Sequence, residues 1–168
     1  AGNLASNRVH SFAEDLEGEI WIGTDNGVSV FYDSNSIFQG ENASQVVVTL
    51  GQHNSYLLEG QQVNDIEIDG ANRKWFATNN SGVVVTSENG TEEIYHFTSE
   101  NSPLFSNKVI DIEMNYVSGE VFFATEKGLM SFRSESTQGN TDFSELMVFP
   151  NPVKPGYSGP ITIKGLVT

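Results

Sequence analysis

The side chains best able to do chemistry here are carboxylates, and their spacing decides what they are for. Asp15, Asp69 and Asn115 each stand ahead of a glycine (Gly18, Gly70, Gly119) and then an aromatic residue (Trp21, Trp75, Phe122). The third copy carries an amide, Asn115, which argues against a required carboxylate base at this position of the repeat. Asp or Asn at the head of a tight turn instead accepts backbone N–H bonds from the residues that follow. That structural role is expected at all three positions. Glu92-Glu93 and Asp65/Asp69 are carboxylate pairs in sequence alone. Glycoside hydrolysis needs two carboxyls held at a set separation across a cleft, and no pattern here supplies that. Glu14-Asp15 and Glu17-Glu19 read as a solvated turn rather than a calcium loop.

Other chemistries have even less support. His10, His53 and His96 share no repeat position and no helical spacing, so no metal site is expected. The chain has no cysteine, which excludes disulfides, thiol nucleophiles and Cys-type zinc sites. No glycine-rich phosphate loop precedes a helix. Asn42-Ala43-Ser44, Asn79-Asn80-Ser81 and Asn89-Gly90-Thr91 fit the glycosylation sequon, a pattern frequent by chance in a chain rich in Asn and Ser. The reading is of a protein that is not an enzyme and needs no cofactor.

The elements that position these residues come from a repeat. Trp21-Ile22-Gly23-Thr24 returns as Trp75-Phe76-Ala77-Thr78 and as Phe122-Phe123-Ala124-Thr125. The threonines lie 54 and then 47 residues apart. A glycine follows each one (Gly27, Gly82, Gly128) and opens a short apolar run. Upstream, Val9, Val63 and Val109 share a column, as do Phe12, Ile66 and Ile112. Ile66-Glu67-Ile68 and Ile112-Glu113-Met114 alternate with period two, the mark of strands. Val46 to Leu50 and Ile94 to Phe97 are further β-rich runs, and no window carries a helical stripe.

Four short antiparallel strands per repeat of this length predict β-propeller blades. The fold class is therefore all-β, with three four-stranded blades over about residues 6–58, 60–105 and 106–133 and following, forming a partial ring. The small residue before each threonine lets neighbouring sheets approach, and the aromatic beside it fills the space between blades. Trp75 is expected in the core. Propellers close with four to eight blades, so other blades of a longer chain are expected partners. Residues 134–145 read as a polar linker, and 146–168 as the start of a β-sandwich, with strands at Leu146 to Phe149 and Ile161 to Ile163 around a Pro/Gly turn.

Charge narrows the partners. The net charge is −14; residues 146–168 carry Lys154, Lys164 and no acid, so the first 145 residues hold −16. Such a surface repels phosphate backbones, and nucleic acid is not an expected partner. No apolar run approaches the ~18 residues of a membrane helix. The chain starts at Ala1 without a signal peptide or an initiator Met and stops at Thr168 inside an apparent strand, so it is read as part of a longer protein.

Two stretches carry a resemblance. Tyr95-His96-Phe97-Thr98-Ser99-Glu100-Asn101-Ser102-Pro103-Leu104, with Ser106-Asn107 and Val109, resembles the two-component-regulator propeller repeat, as do the Trp-x-Gly-Thr elements. Asp15 to Trp21 is also similar to the Asp-box of sialidase propellers, with spacing that differs by one. Val148-Phe149-Pro150-Asn151-Pro152-Val153, running on through Gly159, Ile161, Ile163, Gly165 and Leu166, resembles the opening of a type IX secretion C-terminal domain. Together they imply a non-enzymatic scaffold of the type IX secretion attachment complex of Bacteroidetes. The resemblance further implies residence on the outer face of the outer membrane and work beside a surface sortase and anionic lipopolysaccharide. It also admits a ligand-sensing periplasmic propeller of a hybrid two-component sensor kinase; a carbohydrate-active enzyme is the third alternative. Within a propeller, loops at one end line the channel mouth, which makes Asn7, Arg8, Gln61, Gln62, Asn107 and Lys108 the candidate binding-loop residues.

Overall fold

A computed structural model describes residues 2–50, 53–134, 147–149, 156, 158–159 and 162–164. The first sheet holds β1 (Val9–Glu14), β2 (Ile20–Thr24) and β3 (Gly27–Phe31). A four-residue helix α1 (Ser36–Gln39) and a hairpin of β4 (Val47–Leu50) and β5 (His53–Tyr56) follow. The second sheet runs β6 (Val63–Ile68), β7 (Lys74–Thr78), β8 (Val83–Thr86), β9 (Glu93–Phe97) in sequence order. The third holds β10 (Val109–Asn115), β11 (Glu120–Thr125) and β12 (Gly128–Arg133). A separate antiparallel pair joins β13 (Met147–Phe149) to β14 (Thr162–Lys164).

The repeat columns become equivalent positions. Val9, Val63 and Val109 pair with Thr24, Thr78 and Thr125, and each pair is followed by a register shift in the first strand of its sheet. Each threonine hydroxyl donates to the glycine carbonyl that opens the next strand: Thr24 to Gly27, Thr78 to Gly82 and Thr125 to Gly128, all at 2.8 Å. Glycine is needed there. Gly82 has φ +75, and a Cβ on it would lie 2.0 Å from the Phe97 carbonyl oxygen.

Blades stack through alternating faces. On β7, Trp75 and Ala77 face the third sheet, while Phe76 joins the core shared with the first. Trp21 sits 6.3 Å from Phe76, and Trp75 sits 6.3 Å from Phe123, so the same aromatic pair recurs one blade later. Both tryptophans are fully buried. The first strands lie innermost: β6 packs against β1 on one side and β10 on the other. The small residue before threonine is what allows this approach, because a Cβ on Gly23 would lie 2.8 Å from Val63 Cγ1 in the next blade.

Three details depart from the sequence reading. Only the second sheet has four strands among the described residues; in the first, an isolated bridge from Val30 to Ser44 takes the fourth place. Helix α1 forms where no helical stripe exists, as one turn closed by Gly40 at φ 78. The longer first period is explained by α1 and the β4–β5 hairpin, excursions that the second repeat lacks. The strands expected near Leu146 to Phe149 and Ile161 to Ile163 correspond to β13 and β14. The polar stretch 135–145 and most of the Pro/Gly segment between those strands lie outside the described residues.

Candidate functional site

The six loop candidates turn out to be two columns of one repeated loop, ahead of β1, β6 and β10. Asn7, Gln61 and Asn107 form one column; Arg8, Gln62 and Lys108 form the next. In each blade the second column accepts a backbone bond from the residue after the threonine. Asp25 N–H donates to the Arg8 carbonyl at 3.2 Å, Asn79 to Gln62 at 3.0 Å and Glu126 to Lys108 at 3.2 Å. The first column ties neighbours together. Gly27 N–H donates to the Gln61 carbonyl at 2.7 Å, and Gly82 N–H to that of Asn107 at 2.9 Å, each crossing to the next blade.

The side chains divide into engaged and free. Gln61 Oε1 accepts from the Ser81 hydroxyl at 2.7 Å, Gln62 Nε2 donates to Asn64 Oδ1 at 2.8 Å, and Asn107 Oδ1 accepts from Ser99 N–H at 2.7 Å. Arg8 is 78% exposed and its Nε lies 3.3 Å from Asp25 Oδ2, an ion pair weakened by solvent. His10 Nε2 meets the other Asp25 oxygen at 2.5 Å. Asn7 and Lys108 are exposed. Of the six, Asn7 and Arg8 of the first blade and Lys108 of the third are the exposed side chains, while both glutamines of the second are held by local bonds.

The aspartate turns lie at the other end and are structural. Asp15 Oδ1 accepts from the N–H groups of Glu17 and Glu19, both at 2.9 Å, and its Oδ2 accepts from Trp21 Nε1 at 3.1 Å. Asp69 repeats this with Ala71, Arg73 and Trp75 Nε1. Asn115 Oδ1 accepts from Val117 and Ser118 only, and the aromatic of its repeat is Phe122, which has no N–H to give. Burial by itself would raise the Asp15 carboxyl, but Lys74, the Glu19 amide and Trp21 together hold it below the usual carboxylate range.

Sequence reasoning missed the groups that matter between blades. Lys74 is fully buried against Asp15 of the preceding blade. Asp65 Oδ2 accepts the Ile112 N–H at 2.9 Å, and the Tyr116 hydroxyl donates to Glu67 Oε2 at 2.7 Å. Burial, then the nearby Asp111, raises the Asp65 carboxyl; burial, with Glu113 and Asp65 adding to it against the Tyr116 bond, raises Glu67. Tyr116 is raised by burial and by its bond to Glu67. Among the described residues no group of three or more His, Asp or Glu is arranged to hold a metal ion. None of the described helices is long and apolar enough to cross a membrane.

Sheets stacked face to face around their first strands, with one loop end per blade, make the protein an array of β-propeller blades. Residues 3–26 match the two-component regulator propeller family. Over 95% of its length the chain is similar to PorZ of Porphyromonas gingivalis, described as an essential bacterial surface component of the type IX secretion system, with 31% identity and a TM-score of 0.74. The extracellular domain of BT3049 from B. thetaiotaomicron, described as belonging to a hybrid two-component system, shares 25% identity over 77% of the chain with a TM-score of 0.61. A one-component-system extracellular domain from the same organism, at 19% identity, 80% coverage and a TM-score of 0.60, shares the fold. The chain spans 22%, 16% and 18% of these three proteins, about a fifth of their length. No curated protein sequence matches it.

Proposed function

We propose that the chain is a non-enzymatic binding module: propeller blades of an exported, surface-exposed component of type IX secretion. The observation that carries this is the similarity to PorZ across 95% of the chain. It is supported by the Phe149-Pro150-Asn151-Pro152-Val153 run that follows the blades. The occupied aspartate carboxylates favour a scaffold over an enzyme. In this reading, residues 1–133 form three blades, 134–145 a linker and 146–168 the opening of a terminal sandwich. The partners are the remaining blades, other secretion-complex subunits such as the surface sortase, and anionic lipopolysaccharide. The loop end bearing Asn7, Arg8, Gln61, Gln62, Asn107 and Lys108 is the contact surface, with Arg8 and Lys108 meeting anionic groups.

Deleting the parent gene in its source bacterium tests the role. Type IX cargo should then lose its surface attachment; unchanged attachment overturns the reading. A second reading, the ligand-sensing region of a two-component sensor, is favoured by the family match at residues 3–26 and the likeness to BT3049. A kinase encoded in the same parent chain would decide for it.

A further inference from the structure

The chain holds two Asn-Gly pairs: Asn26-Gly27 joins β2 to β3, and Asn89-Gly90 joins β8 to β9. Glycine after asparagine leaves the next peptide nitrogen open to the side-chain amide, because no Cβ shields it. Both asparagines are exposed, but their amide groups are held differently. Asn89 Oδ1 accepts three bonds at once, from Ser87 Oγ and Thr91 Oγ1 at 2.8 Å and from Thr91 N–H at 3.1 Å. The Glu92 N–H donates to Ser87 Oγ at 3.1 Å and fixes that hydroxyl. Asn26 bonds through its backbone N–H to Thr24 Oγ1, and its side-chain oxygen has no donor among the described residues. Gly27 N–H is tied across the blade interface to the Gln61 carbonyl at 2.7 Å.

Three donors converging on one carbonyl oxygen are what an oxyanion hole supplies. They bind the oxygen more strongly once it carries charge. The bonds to Thr91 also fold the Asn89 side chain forward over its own following peptide. The same turn seats the second blade on the first: a Cβ on Gly90, at φ +74, would lie 2.8 Å from Trp21 Cη2. Asn89 further lines a pocket of about 200 Å³ with Glu17, Glu19, Tyr32 and Glu88. Burial, then the charge of Asp15, raises the Glu19 carboxyl, so a further negative charge there is unfavourable.

We propose that Asn89 is a self-modification site, at which the turn promotes its own conversion to isoaspartate and so loosens the first blade from the second. Gly90 N loses its proton to hydroxide and bonds to Asn89 Cγ, and the charge that forms on Oδ1 is held by Ser87 and Thr91. Nδ2 takes a proton from water, the Cγ–Nδ2 bond breaks and ammonia leaves. One water then opens the resulting succinimide at either carbonyl, giving aspartate or isoaspartate; nothing is oxidised or reduced. Isoaspartate lengthens the backbone by one carbon and displaces Gly90 from Trp21. Both products add a carboxylate to the pocket of Glu17, Glu19 and Glu88. This inference goes beyond the secretion reading and does not depend on it.

The test incubates the 168-residue chain in mildly alkaline buffer and follows both asparagines by peptide mapping, with isoaspartyl methyltransferase as the label. Asn89 should convert about tenfold or more faster than Asn26 in the folded chain. In concentrated urea, where neither amide is held, the two rates should converge. Thr91→Val removes one hydroxyl donor and should slow Asn89 about tenfold. Asn26 in the same molecule should keep its rate, which shows that the variant is folded. The aged chain should melt at a lower temperature than the fresh one. Equal rates in the folded chain, a faster Asn26, an Asn89 rate that Thr91→Val does not lower, or an aged chain that melts like the fresh one would each overturn the proposal.

Discussion

Lys74 Nζ lies 2.8 Å from Asp15 Oδ2, with both side chains wholly buried and the two residues on different blades. The ammonium also donates to the Asn72 carbonyl at 2.9 Å and sits 4.9 Å above the Trp21 ring. Asn72 in turn accepts from Leu16 N–H at 3.0 Å, closing a polar knot between the first two aspartate turns. Asp15→Ala should cost about 3–5 kcal/mol, because it leaves a buried cation unpaired. Lys74→Met should cost less, since Asp15 keeps its backbone and Trp21 donors. The double variant Asp15→Asn, Lys74→Met should recover most of the loss, as read by urea denaturation.

The third repeat already exchanges the Asp–Trp bond for Asn115 and Phe122. Trp75→Ala should cost about 3–5 kcal/mol as a large-to-small core change. Trp75→Phe keeps the packing but strips Asp69 of the bond from Nε1, 3.0 Å long, and should cost about 1–3 kcal/mol. Adding Asp69→Asn to Trp75→Phe should cost less than the two single changes summed, and thermal melts of the set would show it. A silent Trp75→Ala would mean the blades are misaligned.

Gly23 tests the approach between the first two blades. A methyl there would lie 2.6 Å from Ser11 Oγ and 2.8 Å from Val63 Cγ1. Gly23→Ala should destabilise by about 1–3 kcal/mol through overpacking. Val63→Ala in the same chain should relieve part of that, giving a favourable coupling in a double-mutant cycle.

The seam between β6 and β10 should make stability fall as pH rises. Asp65 and Glu67 have folded-state pKa values raised above their unfolded ones, so the folded chain holds more protons between the two. Stability on their account is greatest in acid and declines once pH passes the unfolded value of about 4. Asp15 works oppositely: its lowered carboxyl adds stability above the unfolded value and loses it as pH falls through the folded one. Asp65→Asn should raise the melting temperature at pH 7 by a few degrees and change it little below about pH 4. An equal shift at both pH values would assign the effect to packing.

What the chain order alone determined was everything that repeats locally. The strands, the threonine turns and the aspartate turns each depend on residues within a few positions of one another, so columns such as Val63–Thr78 and Asp69–Trp75 are written in spacing. Burial of the two tryptophans followed from the same pattern. Only the tertiary structure decided which blade meets which. Lys74 with Asp15, Asp65 with the Ile112 amide and Tyr116 with Glu67 join residues of separate repeats, and each contact exists only once the sheets are stacked face to face.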